Sequence, residues 1–219
     1  MKRLRIFYCH GMSGGQDSRI PSVLASHFSS ADYLCDGEPC SVDVTVRTYS
    51  FDSDIAQGQI KAWADEIRPD LVIGESLGSA HAVLLHGMPH LYVSPAMKAP
   101  KIIARWSPFM IIPGVRPFFN RMFRPTRPNR QIPDFTREIT RKYAALYQRD
   151  LENAAKDYSF AFIGSKDHYL KWGVVDIGHW AANYGSYQMY PGSHFMEQEF
   201  LESMLIPKIC EVLHLTQKC

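Results

Sequence analysis

The stretch "LVIGESLGSAHAVLL" (residues 71–85) decides how the rest of the chain is read. Leu71–Gly74 is a short apolar run without helical spacing, the signature of a buried strand. Ser79–Gly87 then takes up a helical period and ends on a glycine, which predicts a helix over 79–87. Between them Gly74 and Gly78 flank Glu75-Ser76-Leu77. A strand that turns sharply into a helix needs glycine where backbones approach closely, and it lifts the serine at the turn into the open. The helix start also directs free N–H groups and a positive dipole end at any negative charge forming near that serine. Gly-x-Ser-x-Gly alone is a weak motif. Its position between strand and helix makes Ser76 a candidate nucleophile.

Working outward, short apolar runs alternate with amphipathic ones. Strands are expected at 4–9, 43–49, 71–74, 90–94, 158–164 and 186–190. Helices are expected after the loop "HGMSGGQDS" to about 28, and at 55–67, 79–87, 137–155, 169–182 and 195–213. Repeated β-α-β units predict an α/β fold, with a mostly parallel central sheet and helices on both faces. The chain, 1–219, reads as a single domain.

Charge interrupts this uniformity. The formal net charge is +2, with 24 Lys and Arg against 22 Asp and Glu. Residues 97–149 hold 12 of the 24 basic residues and only two acids, Asp134 and Glu138, so that stretch carries +10 and the remainder −8. It is also rich in proline and aromatics, and we read 96–156 as an inserted cap or lid. Arg mixed with Phe and Trp also resembles a nucleic-acid stacking groove. The Arg-Pro pairs at Arg116, Arg124 and Arg127 suit an irregular cap better, so nucleic acid is set aside as a partner.

The five cysteines (Cys9, Cys35, Cys40, Cys210, Cys219) are odd in number and lack a C-x-x-C pair. They read as reduced thiols of a cytoplasmic protein. No apolar window reaches the length of a membrane span. No spacing of His, Cys and acids suggests a metal, and no Gly-Lys-Ser/Thr loop suggests a nucleotide, so no cofactor is expected.

A serine is a poor nucleophile without a base, and the base needs an orienting acid. Asp167 follows the strand "YSFAFIG" by three residues, and His194 lies in a Gly-Ser-His turn between the last strand and the last helix. Both loops can meet Ser76 above one sheet edge. The plainer alternatives are a turn or helix-cap role for Asp167 and a surface role for His194. Asp176 competes as the acid, but it is expected to lie within a helical stretch. His81 and His86 are read as packing or solvated residues.

"HGMSGG" after the first strand, "GESLGS" at the turn, "GSKD" after a late strand and "GSH" before the last helix together resemble the α/β-hydrolase superfamily. They are similar in particular to its small cytoplasmic serine esterases, and "VSPAM" adds a likeness to the YqiA-type esterases. The likeness spans almost the whole chain except 96–156. It implies an α/β-hydrolase fold and a serine hydrolase that cleaves a carboxylic ester or thioester through an acyl-enzyme. Ser76, Asp167 and His194 would form the catalytic triad, in the superfamily's chain order. The backbone N–H groups of Met12 and Leu77 would form the oxyanion hole. Gly74 and Gly78 would shape the elbow, while Gly11 and a structural His10 would hold the first loop. The implied partner is a small acyl substrate, and the basic segment leaves room for an anionic one. The alternative is a non-catalytic binding protein on the same fold, using 97–149 to engage an anionic partner.

Overall fold

A computed structural model describes residues 1–218. Its centre is an eight-stranded sheet in the order β7-β6-β5-β4-β1-β3-β2-β8. Six strands pair in parallel: β1 (Lys2–Cys9), β3 (Glu38–Val46), β4 (Leu71–Glu75), β5 (His90–Val93), β6 (Ser159–Gly164) and β7 (Ser186–Tyr190). Two three-residue strands, β2 (Tyr33–Cys35) and β8 (Leu215–Gln217), extend one edge in antiparallel pairing. β2 reaches β3 through Asp36-Gly37, both at positive φ, a turn that an Asp-Gly pair favours.

Strand alternation splits the core in two. Leu4, Ile6 and Tyr8 of β1, with Leu71 and Ile73 of β4, face one side. There they meet α1 (Arg19–Ser29) and a C-terminal helical run. That run is α9 (Gln198–Phe200), a π-helical turn (Leu201–Leu205) and α10 (Ile206–Val212). Phe7, Cys9 and Val72 face the other side, against α2 (Ser53–Ile67), α3 (Gly78–Ala82) and α8 (Ile177–Asn183). Helices therefore cover both faces, as the β-α-β alternation requires.

Two helices differ from expectation. The 79–87 pattern is helical only over Gly78–Ala82, and Gly87 ends the following turns at φ +88°. The 169–182 stretch breaks at Gly173 (φ +65°) into α7 (His168–Lys171) and α8. Asp176 caps α8 from outside it, where a mid-helix position was expected.

Between β5 and β6 the chain forms α4 (Ala99–Trp106), a 3-10 turn (Ser107–Ile111), α5 (Val115–Met122) and α6 (Arg137–Asn153). These residues build a third apolar cluster, in which Ile103, Met110, Phe135, Tyr143 and Leu146 pack with Leu77 and Ala80 at the start of α3. Five cations of this segment pair with acids elsewhere: Lys98 with Asp176, Arg127 and Arg130 with Asp17, Lys142 with Asp52, and Arg149 with Asp54. Part of the +10 excess is thus neutralised by the −8 remainder. No helix among the described residues is long and apolar enough to cross a membrane.

Candidate active site

Parallel register brings the loops after β1, β4, β6 and β7 to one sheet edge. Ser76 leaves β4 at φ +50°, a left-handed conformation that costs a non-glycine residue about 1–3 kcal/mol. Its surroundings hold it there: its N–H donates to the Val93 carbonyl (3.0 Å), and its carbonyl accepts from Ser79 N (3.1 Å) and Ala96 N (3.1 Å). A side chain at Gly78 would collide with the carbonyl oxygens of Cys9 and His10, so glycine lets α3 lie directly against the end of β1. A Cβ at Gly74 would meet Ser79 Cα at 2.9 Å, and one at Gly11 would meet Ser76 Cβ at 3.0 Å.

Three of the predicted side chains converge. Ser76 Oγ lies 2.9 Å from His194 Nε2, and His194 Nδ1 lies 2.6 Å from Asp167 Oδ2. The carboxylate accepts from Nδ1, which leaves Nε2 free to accept the Ser76 proton. His194 and Asp167 are both 2% exposed, so this relay is shielded from water up to the serine. Tyr169 stacks edge-on against the imidazole at 4.6 Å and Phe195 at 5.2 Å, fixing its plane. Asp167 is also the N-cap of α7: its Oδ1 accepts from Tyr169 N (2.8 Å). One carboxylate thus serves both the cap and the imidazole. Asp176 is engaged elsewhere, bonded to Lys98 Nζ (2.5 Å) and His179 N (2.8 Å), and these contacts hold its carboxyl below the usual range.

The first loop is braced from below. His10 is buried, its Nδ1 pairs with the Gly11 carbonyl (2.7 Å), and its ring stacks on Tyr49 at 4.1 Å. The Tyr49 hydroxyl donates to the His10 carbonyl. Burial lowers the His10 pKa to about 4, so the ring is neutral near pH 7. His81 is likewise buried, not solvated, with its pKa lowered to about 3, and His86 is exposed beyond the end of α3. The loop is clamped from above by Ser13 Oγ donating to the Phe123 carbonyl (2.6 Å) and Gln131 N donating to the Gly14 carbonyl (2.8 Å). Among the described residues, the N–H groups of Met12 and Leu77 donate to no protein acceptor.

Ser76 opens onto two cavities. One, of about 420 Å³, has mixed walls, with Arg19, Glu75, Arg124, Arg130 and His194 beside Ile20, Met122 and Phe195 among others. The other, of about 290 Å³, is apolar and is lined by Leu77, Ala99, Ile103, Trp106, Trp172 and Val174 among others. Met12, Phe123 and Tyr169 stand between them and line both. The sequence reading did not reach these walls. Glu75 is the variable position of Gly-x-Ser and was open to notice, whereas nothing local marks Arg19, Phe123 or Tyr169. No cluster of three or more His, Cys, Asp or Glu side chains able to hold a metal occurs among the described residues.

No known family model and no curated protein sequence matches the chain. Solved structures do resemble it. Est1E from Butyrivibrio proteoclasticus, solved with ferulic acid bound, aligns over 97% of this chain and 90% of its own at 13% identity, with a TM-score of 0.62. Mouse alpha/beta hydrolase domain-containing protein 10 aligns over 96% and 89% at 13% identity, with a TM-score of 0.61. The monoacylglycerol lipase of Paleococcus ferrophilus aligns over 96% and 94% at 13% identity, with a TM-score of 0.58. Identity this low carries architecture and leaves activity to the site itself. Sheet order, turn geometry and these full-length likenesses agree: the chain has the α/β-hydrolase fold.

Proposed function

We propose that the protein is a serine hydrolase acting on carboxylic esters or thioesters through an acyl-enzyme on Ser76, in the manner of the small YqiA-type esterases its motifs resemble. The observation that carries this reading is the Ser76–His194–Asp167 chain of hydrogen bonds, 2.9 and 2.6 Å long, at the junction of two cavities. His194 takes the serine proton as Ser76 attacks the acyl carbonyl, and Asp167 holds the imidazole in the tautomer that accepts it. Met12 and Leu77 N–H groups, free of protein acceptors, stabilise the oxyanion. Residues 96–156 act as the cap: through Phe123, Ile103 and Trp106 they wall the cavities and exclude water from the acyl-enzyme.

The test is covalent labelling with a fluorophosphonate, read by intact mass. One adduct per chain is expected, absent in Ser76→Ala, together with loss of about 10⁶-fold in kcat toward a simple aryl ester. A well-folded chain that takes no label would instead be a binding protein on a hydrolase fold.

A further inference from the structure

The hydrolase reading leaves open which cavity takes the acyl group. The proton path decides it. Ser76 Oγ bonds to the acyl carbon while its proton passes to His194 Nε2. The acyl C–O or C–S bond then breaks, and His194 returns that proton to the departing oxygen or sulfur. Water repeats the sequence on the acyl-enzyme, releasing a carboxylic acid and restoring the serine. The leaving atom must therefore lie on the imidazole's side of the reacting carbon.

His194 lines the cavity that holds the charged side chains and not the apolar one. The acyl chain accordingly belongs in the apolar pouch of about 290 Å³, and the leaving group in the cleft with the charged walls. At about 30 Å³ per water, the pouch has room for roughly ten water-sized units, a medium-length or aryl acyl group.

The cleft's charge then specifies the leaving group. Arg19, Arg124 and Arg130 line it against a single acid, Glu75, whose carboxylate accepts from the Tyr8 hydroxyl (2.8 Å). Arg130 shares its charge with Asp17 at 2.7 Å, and Arg19 donates to the Met196 carbonyl. Arg124 is exposed and pairs with no carboxylate among the described residues. Resting on the hydrolase reading, we propose that the leaving group is an anionic alcohol or thiol, bearing phosphate, sulfonate or carboxylate, which Arg124 and Arg19 bind while an uncharged acyl chain fills the pouch. This locates the specificity at two side chains in the cleft, not in the overall charge of residues 97–149.

Three thioesters test it, with thiol release as the readout: hexanoyl 2-mercaptoethanol (neutral), hexanoyl 2-mercaptoethanesulfonate (charge on the leaving group) and adipoyl 2-mercaptoethanol (charge on the acyl group). At about 20 mM salt the sulfonate is expected to exceed the neutral ester in kcat/KM by about tenfold or more, shrinking by about 500 mM as the screening length falls. The sulfonate-to-neutral ratio should drop toward one in Arg19→Gln/Arg124→Gln and persist in Arg141→Gln, whose side chain lies outside both cavities. Adipoyl should gain nothing. A wild-type ratio near one at low salt, an equal gain for adipoyl, or a ratio intact in the double variant overturns the assignment. Turnover of the neutral thioester that depends on Ser76 leaves the hydrolase reading standing in each of those cases. Turnover of none of the three defeats that reading and this inference together.

Discussion

Ser76 leaves a strand bonded in parallel on both sides, whereas Phe123, its neighbour across both cavities, hangs on a segment tied to the core by ion pairs and aromatic rings. The first position follows from local rules. A buried strand, two glycines and a helix start allow few placements of the serine, and β5 and β1 then fix the register. The second follows from contacts among distant residues. Phe123 packs with Phe119 and Phe135, while its carbonyl accepts from Ser13, 110 residues earlier. Backbone geometry thus sets the chemistry of the site, and side-chain packing sets its walls. Substitutions in the two regions should fail differently.

The largest expected effect tests the chemical half. Asp167→Asn keeps a side-chain oxygen able to cap α7 but removes the carboxylate that orients His194, so kcat should fall by about 10⁴-fold with folding retained. Asp176→Asn, whose partners are Lys98 and His179, should change kcat by less than about tenfold. Matched steady-state kinetics check both. Reversal of that order would move the orienting acid to Asp176 and undo the assignment.

The next pair separates glycine required by packing from glycine merely tolerated. Gly78→Ala pushes a methyl group into two backbone carbonyls at the end of β1, and neither can move without disturbing the sheet. A loss of about 3 kcal/mol or more in thermal or denaturant unfolding is expected. Gly58 lies in α2 with nothing within 4 Å of an added Cβ, so Gly58→Ala should stabilise by about 0.5–1 kcal/mol. Equal effects at the two sites would mean that the elbow is not pinned against β1.

These contrasts also explain what the sequence made legible. The parallel sheet, its flanking helices and the three loops bearing Ser76, Asp167 and His194 all come from period, turn residues and element order, which are local signals. β2 and β8 have three residues each, too few for a period to register, although Asp36-Gly37 is the kind of pair that marks a hairpin, here the one joining β2 to β3. The role of Gly173 as a helix break was hidden because a helical pattern continues on both sides of it. The walls were the hardest part. Arg19 begins α1, Phe123 follows α5 and Tyr169 sits in α7, and only tertiary packing makes them neighbours of Ser76.

A buried acid in the packed segment offers a pH test of the comparison. Asp150 of α6 is fully buried, and neither carboxylate oxygen has a partner among the described residues. Burial raises its pKa well above the ordinary value and outweighs the pull of the neighbouring Arg149 guanidinium, which lowers it. The folded chain therefore keeps the proton. Below about pH 4 the unfolded chain keeps it too, and Asp150 costs nothing on this account. As pH rises, the unfolded chain ionises first, so the folded state loses stability until its own carboxyl titrates. Asp150→Asn removes that penalty and should gain about 1 kcal/mol or more at pH 8, with the gain vanishing below about pH 4. A stability difference independent of pH would show that Asp150 is ionised and paired in the fold.

The smallest effect is expected where the two regions meet through solvent. Arg149 Nη2 on α6 lies 3.0 Å from Asp54 Oδ1 on α2, with both side chains more than a third exposed. Such a pair gains little in water, because its attraction is offset by the entropy of holding two long side chains and is screened by salt. Arg149→Ala should cost no more than about 1 kcal/mol at low salt, less at 500 mM (a screening length of about 4 Å), and leave kcat unchanged. The double variant with Asp54→Ala isolates the pair from the lost stem packing of the arginine. A coupling energy of several kcal/mol would mean that charge, and not the Phe51, Phe135 and Tyr143 cluster, holds α6 to the core. The arginines of this segment would then be structural as a class, and substituting Arg124 could not be read through substrate charge alone.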